Sequence, residues 1–230
     1  RTDLRNEVIF TIDGADAKDL DDAISVKKTE NGYILGVHIA DVSHYVREGS
    51  KIDTEAINRG TSVYFTDKVV PMLPKALSNG ICSLNPEVDR LAVTFDMELD
   101  QEGNLIKFTP YESIIRSRKQ MTYKNVNKIL KDEEVPEGYS EFVDTLKLME
   151  ELAEILRNEK LERGYLDFDA KEAKIIVDDT GKAIDVVLRE QGKSEKQIKA
   201  EWERILKVYE GDIHCDYYKG ILVPAQNAGK

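Results

Sequence analysis

The sequence predicts an α+β fold, in which a mixed and mainly antiparallel sheet is flanked by helices. One observation behind this prediction is that apolar runs of strand length come in pairs joined by turn residues such as Asn31-Gly32, which is typical of antiparallel hairpins. Another is that apolar residues recur every three or four positions over residues 142–156, which is typical of an amphipathic helix. Hairpin strands and separate helices are therefore expected in one chain.

The strands are predicted from apolar or β-prone runs that stop at glycine, proline or acidic residues. Asn31-Gly32 joins the second strand to the third, and Gly103 and the Asp-Asp-Thr-Gly segment at 178–181 provide later hairpin turns. The prolines of segment 71–74 exclude regular structure there. The predicted strands lie at residues 8–12, 23–26, 33–39, 61–65, 91–99, 105–115, 174–177 and 183–188.

Two short helices are predicted from their capping residues. The first begins after Ser50 or Asp53 and ends at Gly60, because serine and aspartate cap helix N-termini and glycine follows helix C-termini. The second is capped by Thr122 and carries the apolar residues Val126, Ile129 and Leu130.

Two longer helices are predicted from apolar periodicity. The helix over residues 142–156 ends before Gly164, and its apolar stripe is expected to pack in the core rather than to bind a cofactor. The other follows Ser194 and extends to about residue 209, where self-association through an uncovered apolar side is a hypothesis. Its apolar side carries Ile198, Trp202, Ile205, Leu206 and Tyr209.

The loop between the first two predicted strands is crowded with aspartates. Neighbouring carboxylates either raise one another's pKa or recruit a cation, and magnesium prefers oxygen ligands. A magnesium site that bridges phosphate oxygens and activates water for phosphodiester cleavage is one interpretation. A solvated acidic turn without metal is the alternative. The loop aspartates are Asp13, Asp16, Asp19, Asp21 and Asp22.

Composition limits the class of protein. With 230 residues and 41% hydrophobic content, the chain is long enough for one well-packed globular domain or slightly more. No apolar run of about 18 residues predicts a membrane span, and no signal peptide is expected. Cys82 and Cys215 lack the spacing of metal ligands, so a reduced, cytoplasmic protein is expected rather than a secreted one.

The net charge of −11 argues against nucleic-acid binding, since affinity for phosphates comes largely from lysine and arginine. Only a local basic surface would support such binding. The alternative for these basic residues is an ordinary solvated strand end. The candidate cluster consists of Lys107, Arg116, Arg118, Lys119 and Lys124.

Three ring-bearing side chains have two possible roles each. His38 lies in an apolar strand and is expected to be a hydrogen-bonded core residue rather than a metal ligand. Tyr64 and Phe65 are adjacent in a β-prone run, where aromatic residues most often belong to the core. The other interpretation is that one of them faces outward and stacks on a base.

Five motifs stand out in order along the chain. They are T-I-D-G-A-D-A-K-D-L-D-D-A (11–23), G-V-H-I-A-D-V-S-H-Y-V (36–46), R-G-T-S-V-Y-F (59–65), V-P-M-L-P-K-A-L-S-N-G-I-C-S-L-N-P (70–86) and M-T-Y-K-N-V (121–126). Together they resemble the catalytic RNB domain of the ribonuclease II family of 3′-to-5′ exoribonucleases. The resemblance extends in order from about residue 1 to residue 190, and ordered motifs are more specific than an acidic loop alone.

The resemblance implies a magnesium site by position. The metal-binding aspartates would be Asp13, Asp19, Asp21 and Asp22, whereas Asp16 would have no such role. Asp13 and Asp22 would hold magnesium against the scissile phosphate, and Asp21 would assist a second metal or the attacking water. Asp21 and Asp19 are accordingly the candidate catalytic residues.

The resemblance also implies the substrate. Tyr64 corresponds to a tyrosine that clamps nucleotides near the 3′ end, and Tyr123 to another tyrosine that contacts the RNA. Single-stranded RNA would be degraded from its 3′ end to nucleoside 5′-monophosphates. No membrane partner is implied, and the oligomeric state is left open.

The resemblance does not cover the whole chain or the whole family domain. Residues 1–193 would form the N-terminal part of the RNB domain, and residues 194–230 a helix and tail that do not match the family. The later part of the domain, with an arginine that stabilises the transferring phosphate, has no counterpart here, so a truncated form is expected. The alternative function is a catalytically inactive fragment that binds RNA or a protein.

Overall fold

A computed structural model of the chain describes residues 1–132, 134–165 and 173–188. The chain divides into two units, residues 1–159 and residues 160–230, which are described separately. The strands of the first unit are β1 (Thr2–Asp3), β2 (Thr11–Asp13), β3 (Asp22–Thr29), β4 (Gly32–Ala40), β5 (Val63–Tyr64), β6 (Val69–Val70), β7 (Asp89–Asp100), β8 (Leu105–Arg116) and β9 (Gln120–Thr122). The helices are α1 (Val42–Tyr45), α2 (Lys51–Arg59), α3 (Tyr123–Lys131) and α4 (Val143–Glu162), the last of which crosses the boundary between the units.

Five strands form the main sheet in the order β1-β8-β7-β4-β3. Its strand pairs are antiparallel except for β1, which pairs in parallel with β8 through Ser113 and Ile114. Two smaller pairs lie beside it, a parallel pair of β2 with β9 and an antiparallel pair of β5 with β6. The predicted α+β class, with a mixed and mainly antiparallel sheet flanked by helices, is confirmed.

The hairpin between β3 and β4 is confirmed, but its turn lies one residue earlier than predicted. Thr29 pairs with Gly32, so Glu30 and Asn31 form the turn and Gly32 begins the strand. Gly32 has φ of 149°, and a Cβ atom at this position would overlap the carbonyl oxygen of Leu99 on β7. This glycine is therefore required by the close approach of two strands rather than by the turn.

The first predicted strand is only partly correct. Regular pairing begins at Thr11 rather than at residue 8, because Phe10 makes a single bridge to Ile24 and Val8 is exposed. The β-prone run 61–65 likewise forms only the two-residue strand β5. Both runs have strand-like composition, but β2 pairs regularly with the three-residue strand β9 and β5 with the two-residue strand β6.

The helix caps follow the sequence. The Ser50 hydroxyl accepts a hydrogen bond from the amide of Asp53 at 3.2 Å, so serine rather than aspartate caps α2, and Gly60 follows its end with φ of 72°. The Thr122 hydroxyl accepts from the amide of Asn125 at 3.2 Å and caps α3. The long helix α4 is preceded by a 3₁₀ turn at Ser140–Phe142.

The core of the first unit lies on both sides of the acidic loop. One buried cluster includes Ile9, Leu20 and Leu84. A second joins Phe10 and Met121 to α3 and the start of α4, and a third packs Leu152 of α4 against the sheet. The apolar stripe of α4 is thus part of the core, as predicted.

His38 is a buried core residue, as expected. Its Nδ1 lies 2.8 Å from the Thr94 hydroxyl and its Nε2 lies 3.1 Å from the Ser25 hydroxyl. Burial lowers the pKa of His38 to about 4, so the imidazole is neutral at pH 7.

In the second unit, the described residues include the antiparallel hairpin of β10 (Ala173–Val177) and β11 (Ala183–Leu188). Asp178 accepts hydrogen bonds across the turn and Gly181 has φ of 81°, which confirms the predicted Asp-Asp-Thr-Gly turn. The helix predicted after Ser194 lies outside the described residues. None of the helices that the structure describes is long and apolar enough to cross a membrane.

Candidate active site

The acidic loop connects two strands that end side by side. Asp13 is the last residue of β2 and Asp22 is the first residue of β3, while Asp19 and Asp21 lie in the loop between them. Asp13 and Asp19 are half-buried, whereas Asp21 and Asp22 are exposed. The fold therefore brings together the four aspartates that the sequence singled out, and it leaves Asp16 exposed on the same loop.

Backbone hydrogen bonds hold the second half of the loop in place. Leu20 is fully buried, and its amide donates to the Ser83 hydroxyl at 3.0 Å while its carbonyl accepts from the amide of Leu84 at 2.8 Å. The carbonyl of Asp21 accepts from the amide of Ala40 on β4 at 2.9 Å. These hydrogen bonds constrain the backbone that carries Asp19, Asp21 and Asp22.

The first half of the loop is tied to β9. The amide of Ala17 donates to the carbonyl of Gly14 at 3.1 Å, which closes a turn. The Gln120 side chain donates to the carbonyl of Ala17 at 3.1 Å. Asp13 itself is aligned with Thr122 in the parallel pair of β2 and β9.

The electrostatics of the loop disfavour ionised carboxylates. Burial raises the pKa of Asp13, and the charges of Asp22 and Asp19 raise it further, against an opposing effect of the neighbouring Thr11 hydroxyl. Partial desolvation, followed by the charges of Asp19, Asp22 and Asp13, raises the pKa of Asp21. A cation bound here would relieve both effects.

One carboxylate oxygen of the loop is buried without a hydrogen-bond partner. Oδ2 of Asp13 and Oγ1 of the neighbouring Thr11 are both buried, and neither has a hydrogen-bond partner of good geometry among the described residues. A buried polar atom without a partner is costly unless an ion or water satisfies it. The oxygen donors of this loop fit magnesium in their chemistry.

The loop does not form a finished coordination shell. Within residues 1–132, 134–165 and 173–188, no three His, Cys, Asp or Glu side chains are gathered closely enough to hold a metal ion as they stand. The fit to magnesium therefore depends on donor chemistry, shared charge and the buried oxygen of Asp13.

Tyr64 reaches the acidic loop from the β5–β6 hairpin. Its hydroxyl donates to Oδ2 of Asp19 at 3.2 Å, and its side chain is 66% exposed. The charge of Asp19, together with partial desolvation, raises the pKa of Tyr64, so the phenol remains protonated at neutral pH. Phe65 is 53% exposed, and the expectation that these two aromatics belong to the core is wrong because their short hairpin has no covering layer in the described structure.

Tyr123 adjoins the strand residue that is aligned with Asp13. It is the first residue of α3 and directly follows Thr122, the residue with which Asp13 is aligned. Its side chain is 61% exposed. Two exposed tyrosines therefore stand near the acidic loop, one after β9 and the other bonded to Asp19.

The basic cluster is largely engaged in local contacts. Lys107 pairs with Glu98 at 3.1 Å, and Arg116 pairs with Asp89 at 2.7 Å. Arg118 donates to the backbone carbonyls of Asn6 and Glu7, and Lys119 lies over the ring of Tyr139 at 4.7 Å. Lys124 is exposed. The structure does not gather the five residues at one place, since Lys107 and Arg116 lie near opposite ends of β8.

Ser83 contacts the acidic loop and Arg90 contacts Ser83, and neither residue was singled out in the sequence. Ser83 is fully buried, and Arg90 donates to its carbonyl at 2.7 Å. The only sequence signal was a polar residue between Cys82 and Leu84 in the motif at 70–86. The contact with the loop spans more than sixty residues of chain, so local patterns could not reveal it.

Comparison with known proteins gives a consistent family match. The model of the RNB domain matches residues 1–202. Ribonuclease R of Thermotoga maritima is 53% identical over 200 residues, which are 86% of this chain and 28% of that protein. Ribonuclease R 1 of Lactococcus lactis is 54% identical over 202 residues, which are 87% of this chain and 25% of that protein.

A solved structure gives the same result. The RNase R of Mycoplasma genitalium, in complex with ribose-methylated single-stranded RNA, superposes with a TM-score of 0.80 at 36% identity. The alignment covers 86% of this chain and 31% of that one. The chain thus spans about a quarter to a third of the length of the proteins it matches.

Proposed function

The chain belongs to the RNB domain family, and from this premise we propose that it acts in magnesium-dependent 3′-to-5′ hydrolysis of single-stranded RNA to nucleoside 5′-monophosphates. The observation that carries the proposal is the buried Oδ2 of Asp13, which lacks a hydrogen-bond partner of good geometry in a loop where burial, and then the charges of Asp22 and Asp19, raise the pKa of Asp13. An uncompensated group of acids in a fixed loop is the electrostatic environment that a divalent cation would complete.

The aspartates have separate roles in this proposal. Asp13 and Asp22 would hold magnesium against the scissile phosphate, and Asp19 and Asp21 would complete the set of ligands. Magnesium bound there would stabilise the charge of the transferring phosphoryl group and lower the pKa of water. Asp21, whose raised pKa makes it a better base than an ordinary aspartate, would accept a hydrogen bond from the attacking water and orient it.

The tyrosines would bind the RNA. Stacking of a base on an exposed aromatic ring contributes about 1–3 kcal/mol and tolerates any base, which suits an enzyme that removes nucleotides without sequence preference. Tyr64 is held beside Asp19 by its hydrogen bond, so a base stacked on it would lie near the carboxylates. In this chain of net charge −11, stacking on the tyrosines would add affinity for RNA that does not depend on basic residues.

A time course of RNA degradation tests the proposal. We would incubate the chain with 5′-labelled single-stranded RNA, with and without magnesium, beside Asp21→Asn. A magnesium-dependent ladder that shortens from the 3′ end, and that Asp21→Asn abolishes, is expected. The matched control is Asp16→Asn, which removes a charge from the same loop at a position with no proposed role and should keep the ladder. Intact RNA with the wild-type chain, or a ladder that does not need magnesium, would contradict the proposal.

A second candidate is an inactive domain that binds RNA or a protein. It is favoured by the absence, within the part of the chain that the structure describes, of a ready-made group of three metal ligands. The share of its relatives that the chain spans, 25% to 28% of the two curated proteins, is compatible with it as well. Binding of single-stranded RNA that magnesium does not change, without turnover, would support this candidate.

We also propose a cytoplasmic location and a division of the chain into residues 1–193 and a separate segment 194–230. The buried, free thiol of Cys82 is compatible with a reducing compartment. The match to the family model ends at residue 202 and so overlaps the start of the second segment. Limited proteolysis followed by mass spectrometry would locate the division.

A further inference from the structure

The buried Ser83 lies directly beneath the acidic loop, although it contacts none of its carboxylates. We propose that Ser83 is a positioning residue that fixes the backbone on both sides of Asp19, and that Arg90 holds Ser83 in place. This inference rests on the proposed function, because it assigns to these residues the geometry of the site that would bind magnesium.

The Ser83 hydroxyl bonds to two backbone groups of the loop. It accepts from the amide of Leu20 at 3.0 Å and donates to the carbonyl of Lys18 at 3.0 Å. A hydroxyl has one donor hydrogen and two acceptor sites, so it can make both bonds at once. A longer contact of 3.4 Å to Asn85 Oδ1 competes for the same hydrogen. Since Lys18 and Leu20 flank Asp19, one side chain constrains the direction in which that carboxylate projects.

The next residue extends the same support to Asp21. The amide of Leu84 donates to the carbonyl of Leu20 at 2.8 Å, in the peptide group that precedes Asp21. Leu20 and Leu84 are both fully buried and belong to one core cluster. The loop is therefore docked onto residues 83 and 84 by three hydrogen bonds and an apolar contact.

Arg90 binds the backbone of the segment that contains Ser83. Its Nε donates to the carbonyl of Ser83 at 2.7 Å, and its Nη2 to the carbonyl of Gly80 at 3.2 Å. Nη1 donates to the carbonyl of its own neighbour Asp89 at 3.0 Å. Gly80 lies in the last turn of the π-helical segment Ala76–Ile81, where backbone carbonyls have no donor further along the helix and need other partners. The planar, five-donor guanidinium suits this task in a way that a lysine ammonium does not.

The chain offers a matched control for the loss of a buried serine hydroxyl. Ser113 on β8 is also fully buried and bonds to the Thr94 hydroxyl at 2.7 Å. It lies in the main sheet within a network that includes His38 rather than beneath the acidic loop. Ser83→Ala and Ser113→Ala thus remove the same chemical group at equal burial.

The experiment compares these variants in the full chain. Magnesium affinity would be measured by isothermal titration calorimetry, the rate by RNA hydrolysis, and the exchange of the Leu20 amide by NMR. We expect Ser83→Ala to weaken magnesium affinity or slow hydrolysis roughly 10- to 100-fold, as is typical when a group supporting a metal ligand is removed. It should also speed exchange of the Leu20 amide, whereas Ser113→Ala should leave all three quantities at wild-type values.

Two outcomes would overturn the inference. One is a Ser83→Ala variant whose magnesium affinity and rate equal those of Ser113→Ala. The other is a Leu20 amide whose exchange does not change. If Ser83→Ala does not fold, Arg90→Lys supplies the test, since it keeps the positive charge but loses the guanidinium donors. We expect the same changes in magnesium affinity, rate and Leu20 amide exchange, but smaller ones. If the wild-type chain binds no magnesium, the proposed function fails separately, and exchange of the Leu20 amide alone decides the positioning role.

Discussion

Two acidic regions of the first unit differ in whether arginine side chains pair with their aspartates. In the strand-end network, defined by Asp3, Arg5, Asp89 and Arg116, every carboxylate has an arginine partner, with distances of 2.7 to 3.1 Å. Hydrogen bonds from Arg5 and Arg116 hold the pKa of Asp3 and Asp89 below its usual range. In the acidic loop, the pKa of Asp13 is raised. The arginine-paired acids are stabilised in their charged form, whereas the charge of Asp13 is disfavoured until a cation binds.

The largest expected effect of this difference is on RNA hydrolysis. Asp13→Asn should lower the magnesium-dependent rate by about 100-fold or more, which is typical when a group that stabilises the transition state electrostatically is removed. Asp89→Asn, which removes a carboxylate from the strand-end network, should leave the rate within about twofold of wild type. The measurement is the rate on labelled single-stranded RNA, and equal losses in the two variants would show that charge compensation does not distinguish the two regions.

The next effect is thermal stabilisation by magnesium. A cation that binds only the folded chain adds about 2.7 kcal/mol at 100 times its dissociation constant. The melting temperature should therefore rise with magnesium in the wild type and in Asp89→Asn, but not in Asp13→Asn. Calcium and sodium at equal ionic strength are the controls, and the same rise with all three ions would indicate a solvated acidic turn.

The smallest expected effect is on the melting temperature without metal. Substitutions in the two regions should shift it in opposite directions. A raised pKa means that the folded state prefers the protonated acid, so the stability that Asp13 contributes is present below about pH 4 and lost as pH rises. For Asp3 and Asp89 the pKa is lowered, so their contribution is present at neutral pH and lost on acidification. At pH 7 with EDTA, Asp13→Asn should raise the melting temperature and Asp89→Asn should lower it slightly.

The salt dependence of these melting temperatures provides a control. Because Asp3 and Asp89 are exposed, their contribution is screened by salt, and the loss in Asp89→Asn should shrink at high ionic strength. Two variants that shift the melting temperature in the same direction would show that the regions do not differ in charge compensation.

Features that depend on neighbours in the chain were predictable from the sequence. Ser50, Thr122 and Gly60 mark helix ends, and the hairpin at Gly103 follows from local turn chemistry. The features that were missed depend on distant partners. The strand at Thr11 is short because its neighbour β9 is short, and Gly32 is required by Leu99 across the sheet.

The residues of the candidate site were likewise predictable only where local sequence reveals them. The acidic loop stands out by its charge density, and the motifs assign the four aspartates and two tyrosines, whose roles stay predictions. The outward position of Phe65 could not be read from composition, because burial depends on which layers cover a hairpin. The role of Ser83 required a contact between segments that are far apart in sequence.

The neutral, buried His38 has a calorimetric consequence. Its pKa is about 4 in the folded chain and near 6.5 when unfolded, a difference of about 3 kcal/mol that is fully available above pH 6.5 and is lost as pH falls towards 4. Between these values, unfolding exposes the imidazole to solvent and takes up close to one proton from the buffer at this residue. The apparent enthalpy of unfolding at pH 5 should therefore change with the ionisation heat of the buffer, and the dependence should weaken in His38→Gln.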